Sequence, residues 1–181
     1  MRTTNNVSLT ILASLFCLAA ASCVQVDAEI PDTKVTQKAV SFQGVPGAQT
    51  VGEVSITQSF TVTSDDLSWA KDLNSDVYAY EVELTAVSGV QDLSFIRVAR
   101  ITMSSGEDPS IAPIEVINYT RPQSYTASAV LDVPTSQPIN VTTVWAAKKL
   151  VFTIYLTGIF PEQDWAADVT LHMSGKISYK L

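Results

Sequence analysis

His172 is the only histidine in a chain of 181 residues, so any Ser/His/Asp or Cys/His relay has one imidazole to use as its base. It lies between Leu171 and Met173, which carry the apolar phase of a strand, and this places His172 on the outward phase as a surface residue. No G-x-S-x-G turn offers an activated serine. Paired carboxylates for glycoside hydrolysis could in principle come from Glu81 with Glu83 or from Asp164 with Asp168. Glu81 and Glu83 share one face of a strand about 7 Å apart. Acidic pairs on a wet sheet face are common, however, and no cleft follows from the sequence, so the reading favours a protein that is not an enzyme. Asp72, Asn74, Asp76 and Glu83 fall at positions 1, 3, 5 and 12 of a calcium-loop spacing. Position 6 is Val77 where the sharp turn needs glycine, and Tyr78 onward alternates as a strand, so a polar turn with solvated carboxylates is the better reading. Of three tryptophans, Trp165 is in phase with the core of its strand, while Trp69 and Trp145 are left open between burial and stacking on a sugar or partner.

The cysteines say more about place than about chemistry. Arg2 gives one positive charge, Val7 to Ala21 form an apolar stretch, and Ala19, Ala20, Ala21 and Ser22 lead to Cys23, the layout of a removable signal over residues 1–22. The apolar run of about 15 residues is shorter than the roughly 20 that a membrane-crossing helix needs. Gln25, Asp27, Glu29 and Asp32 follow it, with no basic stop-transfer cluster. Cys17 leaves with the signal, so the mature chain keeps Cys23 alone. A single thiol in an oxidising compartment pairs between molecules unless something consumes it.

Ala20-Ala21-Ser22-Cys23 resembles the lipobox of bacterial lipoproteins, with Ala20 in place of the usual leucine. The resemblance implies thioether attachment of a diacylglycerol at Cys23, a lipid anchor, and export to the outer membrane, facing the periplasm or the cell surface, since Val24 is not the aspartate associated with inner-membrane retention. With Cys23 consumed and one histidine left, a tetrahedral N/S zinc site is disfavoured. No metal and no cofactor are expected. The closing stretch Leu150 to Leu181, with its Leu-Thr-Gly and Pro-Glu-Gln-Asp-Trp, is similar to uncharacterised β-sandwich outer-membrane lipoproteins, a resemblance that implies no activity.

Removing residues 1–22 leaves all 18 acidic residues and ten of the 11 basic ones, a formal charge of −8. Such a surface repels nucleic acid. The only adjacent basic pair, Lys148 and Lys149, reads as a solvated turn.

The elements that must position these residues are nearly all strands. Residues 23–33, acidic and containing Pro31, read as a lipidated cysteine and a flexible tether reaching on the order of 35 Å. Residues 34–181 then read as one domain. Strict alternation marks Val54 to Thr63, Tyr78 to Val87, Leu150 to Leu156 and Trp165 to Met173 with Ile177 to Leu181 in the same phase. Leu93 to Met103 changes phase between Phe95 and Ile96, predicting a bulge or a strand buried on both faces. Tyr125 to Leu131 predicts a strand ending at Pro134, and Val35 to Phe42, Ile114 to Tyr119 and Ile139 to Thr143 are weaker strands. Ser64 caps a short helix carrying Leu67, Ala70 and Leu73, and Trp145 to Lys149 could add one turn. About eight or nine strands with one short helix predict an all-β antiparallel β-sandwich, with a barrel as alternative. Few lysines and arginines shield its edges, so an exposed sheet edge is expected to serve as a docking surface, for an envelope protein partner or for a second copy of the chain. The other functional class is a protein that holds a small or lipidic ligand between the sheets, and it requires a sizeable internal cavity.

Overall fold

Alternation decides where the backbone extends. The computed structural model describes residues 25–63, 75–147 and 149–180. In order it contains β1 (Gln25–Phe42), α1 (Ala48–Val51), β2 (Val54–Thr63), β3 (Ser75–Ser88), β4 (Ile96–Ser105), β5 (Ile114–Thr120), β6 (Val130–Asn140), α2 (Thr142–Trp145), β7 (Lys149–Gly158) and β8 (Trp165–Lys180). In β2 the small polar residues Ser55, Thr57, Ser59 and Thr61 are exposed while Val62 is buried, as period two requires.

Two four-stranded sheets form, in the orders β1-β8-β3-β6 and β2-β7-β4-β5. Every pairing is antiparallel. Each step along the chain changes sheet except the β4–β5 hairpin, which is the connectivity of an eight-stranded jelly roll. The all-β sandwich expected from the sequence is thus the observed architecture. Its inner faces bury Leu84, Ile101, Met103, Ile154 and Leu156. Each such side chain contributes about 1.5–3 kcal/mol of burial. At one end Trp165 stacks on Phe42, centroids 4.2 Å apart, and takes the edge of Phe95 at 5.0 Å.

Four segments differ from their sequence reading. Residues 25–33 are not a tether: they are the first part of β1, paired with β8 from Gln25↔Lys180 to Ile30↔Gly175 and again from Thr33↔Met173. Val26, Ala28 and Ile30 do alternate with Gln25, Asp27 and Glu29, and Pro31 falls in the bulge where the register shifts, one of the few places a sheet admits proline. The phase change at Phe95 and Ile96 falls at a turn leading into β4, closed by Ile96 N–H to Leu93 O at 3.1 Å, and the expected irregularity follows one residue on, where the register against β7 shifts between Ile96 and Val98. The predicted strand from Tyr125 begins only at Val130 and runs past Pro134 and Pro138 to Asn140. That is permitted because β6 is an edge strand, and its register jumps from Pro134 to Ile139 opposite the single residue Tyr80. The extra turn precedes Trp145 instead of following it. The helix predicted from Ser64 lies outside the described residues.

Candidate functional site

The pairings sort the molecule into two ends. Gln25, Lys180, Ser75 and Asn140 meet at one end of the first sheet, and Thr63 with Lys149 at the same end of the second. Phe42 and Trp165, Ser88, Val54, Gly158 and Thr120 mark the other. The loops 43–53, 89–95, 121–129 and 159–164 therefore gather at the end away from Gln25.

His172 sits mid-strand on the outer side of β8, as its phase predicts, but it is not a surface residue: it is 6% exposed. Two bulges explain this. The β1 bulge at residues 31–32 brings Asp32 Oδ1 to 3.4 Å from His172 Nδ1, and the β3 bulge at Tyr80 lays that ring edge-on at 5.9 Å. His172 Nε2 is buried and has no hydrogen-bond partner among the described residues. The Tyr80 hydroxyl donates to Asp32, and burial first, then this bond, pushes its pKa up to about 12. The cluster orients an imidazole and a phenol around one carboxylate. Among the described residues it brings no serine or cysteine nucleophile to Nε2.

Three of the carboxylates singled out in the sequence, Glu83, Asp164 and Asp168, are held in local contacts of the fold. Glu83 Oε1 accepts from Thr85 Oγ1 at 2.8 Å. Asp164 Oδ1 accepts from the Gly44 N–H at 2.8 Å, and Asp168 accepts from Lys38 Nζ and the Ala39 N–H. Asp76 and Glu83 stand seven residues apart on one strand, on the order of 20 Å, and cannot share an ion. Val77 between them is buried and gives its N–H to Thr142 Oγ1 at 2.8 Å. Asp72, Asn74, Trp69, Lys148 and Cys23, the expected lipidation residue, lie outside the described residues. Trp165 is 1% exposed, as its phase predicts, and Trp145 is 4% exposed. Lys149 is exposed at the start of β7.

Between the inner faces of the sheets a cavity of about 10 Å³ lies against Val62, Phe152 and Leu171. That is room for about one water. A ligand there would have to displace packed side chains.

A second pocket went unread in the sequence. It lies at the end away from Gln25, has a volume of about 400 Å³, and is lined by Ser94, Arg97, Arg121, Gln123 and Tyr125. Local hydrogen bonds build its walls: Ser94 N–H to Asp92 Oδ1 at 2.8 Å, Arg121 N–H to Arg97 O at 2.7 Å, Leu93 N–H to Ser128 O at 2.9 Å. Arg97 is paired with Glu53. The Arg121 guanidinium carbon lies 5.9 Å from the Tyr125 ring centroid, and no carboxylate among the described residues takes it. The hydroxyls of Tyr119 and Tyr125 are buried with no partner in hydrogen-bond geometry. Burial raises both phenol pKa values, that of Tyr125 with help from Asp92, against the pull of Arg121 and, at Tyr125, of the Ser128 backbone. The only signal for this site in the sequence was two arginines in an arginine-poor chain, 24 positions apart.

The chain matches no protein-family model and no curated protein. Solved structures with a similar course of strands include one of Desmodium yellow mottle tymovirus, 8% identical over 89% of this chain and 91% of that one, TM-score 0.39. Another is the decameric BFDV capsid protein, 9% identical, covering 85% and 99%, TM-score 0.38. A third is the semi-empty particle of Macrobrachium rosenbergii nodavirus, 10% identical, covering 90% and 98%, TM-score 0.38. Likeness at this level says nothing of what the chain does.

Proposed function

We propose that this chain is an exported, lipid-anchored envelope protein of the outer membrane whose β-sandwich works by binding a partner, not by catalysis. The observation that carries the reading is the placement of Cys23, at the end of an apolar leader and two residues before β1 begins at Gln25. A lipid on Cys23 would hold the Gln25 end of the sandwich against the bilayer, with about 7 Å of chain between them. No helix of the described residues is long and apolar enough to cross a membrane, so the anchor would carry the attachment. The two or three acyl chains of a bacterial lipoprotein hold a domain stably where a single chain does not.

A binding role is supported by Glu83, Asp164 and Asp168 being engaged in fold contacts and by the free edge of β2. That strand pairs with β7 through ten residues without a bulge, contains no proline, lysine or arginine, and has no strand on its other side among the described residues. Such an edge accepts an added strand from an envelope protein. The test is fractionation: the protein stays in the membrane pellet through a high-salt wash, and Cys23→Ser releases it. An unmodified Cys23 in the mass spectrum of the mature protein would overturn the anchor, and cross-linking from β2 that returns no reproducible partner would overturn the binding role.

A further inference from the structure

We infer that the pocket between Arg97 and Arg121 is a binding site for a small hydroxylated carboxylate, a uronic acid being the simplest. The inference stands whether or not Cys23 carries a lipid. The volume of about 400 Å³ falls in the range of small-ligand sites. Its chemistry is selective in kind. Arg121 offers a planar fork of N–H donors that no described carboxylate occupies, and the ligand group that matches such a fork on two bonds is a planar carboxylate. Tyr125, already in contact with the guanidinium, gives the pocket an aromatic wall against which a sugar ring packs. Gln123 supplies a neutral donor and acceptor for ring hydroxyls, and the Ser94 hydroxyl, which donates to Asp92, supplies a further acceptor. The surroundings set the strength. Glu53 neutralises Arg97, and Asp92, whose pKa is lowered by the Ser94 hydroxyl and N–H, stays ionised close by. Arg121 is thus the one arginine of the pocket left for a ligand, and binding is weak and dependent on it. The site opens at the end of the sandwich away from Gln25.

The experiment titrates the intact, isotope-labelled protein, in detergent, with glucuronate, glucose and inorganic phosphate, reading amide shifts. Glucuronate is expected to shift Ser94, Arg121, Gln123 and Tyr125 and their neighbours, and glucose and phosphate to shift them at least tenfold less at equal concentration. Arg121→Gln should weaken glucuronate at least tenfold while the spectrum stays dispersed. Arg121→Lys, which keeps the charge and loses the fork, should weaken it nearly as much. The inference is overturned if glucuronate shifts scatter over the surface, if phosphate or glucose binds as well, or if Arg121→Lys retains full affinity.

Discussion

Asp168 holds Ala39 in a backbone conformation that alanine avoids. Ala39 has φ 49°, in the left-handed region, inside the β1 bulge between Gln37 and Val40, and its N–H is bound by Asp168 Oδ1 at 2.8 Å. The other carboxylate oxygen takes Lys38 Nζ at 2.6 Å. The left-handed region costs an L-residue about 1–2 kcal/mol. Ala39→Gly is therefore expected to stabilise the domain by up to about 1 kcal/mol after glycine's own entropic cost, and Asp168→Ala to destabilise it by about 1–2 kcal/mol, both read from urea midpoints. Lys38→Ala should cost less, about 0.5 kcal/mol, because Lys38 is 75% exposed and its charge is screened.

The same carboxylate gives the stability a defined pH dependence. Hydrogen bonds from Lys38 and then from the Ala39 N–H lower the Asp168 pKa from 3.8. A carboxylate lowered on folding contributes stability that is present above its unfolded pKa and is lost as pH falls through its folded one. The difference between the parent protein and Asp168→Asn should thus be full at pH 6 and shrink below about pH 3.8. Denaturation at a series of pH values checks this, and a difference that persists unchanged at pH 2 would contradict it.

If residues 25–31 formed a tether, deleting them would leave the melting temperature alone. Six of them pair in register with β8, and the expected loss is at least about 3 kcal/mol, a fall of roughly 6–12 °C in a domain of this size. Calorimetry on the deletion distinguishes the two.

Tyr80 should be slow to ionise. Its hydroxyl is desolvated and donates to Asp32, so its pKa stands at about 12, and Asp32→Asn, which removes the negative charge, should bring it back toward 10. A phenol raised on folding contributes stability up to its unfolded pKa, which is then lost as pH climbs through the folded one, here between about 10 and 12. Carbon-13 spectra of labelled tyrosine across this range give the titration directly.

Strands with a dry and a wet face were legible because period two is written residue by residue, as in Val54 to Thr63 and Trp165 to Met173. What escaped reading depends on pairing partners. Pro134 and Pro138 argue against a strand unless it is known that β6 lies at an edge, and the acids of residues 27–32 look like a linker unless β8 is there to pair with them. His172 was given its correct face and the wrong exposure, since burial there comes from bulges at Pro31–Asp32 and Tyr80, which no alternation records. Arg97 and Arg121 meet only because β4 and β5 form a hairpin whose open ends return side by side.

Trp165 shows how much one end of the sandwich depends on a single ring. It is enclosed by Phe42, stacked at an interplanar angle of 11°, and by Phe95, edge-on at 78°. Truncation leaves a cavity that two rigid rings cannot fill, so Trp165→Ala should cost about 3–5 kcal/mol. Trp165→Phe keeps the stack and also removes a buried indole N–H that has no hydrogen-bond partner, which offsets part of the lost volume. Its cost should stay near 1–2 kcal/mol. Urea unfolding at unchanged slope reads both values. If Trp165→Phe proved as damaging as Trp165→Ala, the stack on Phe42 would not be what stabilises this end of the core.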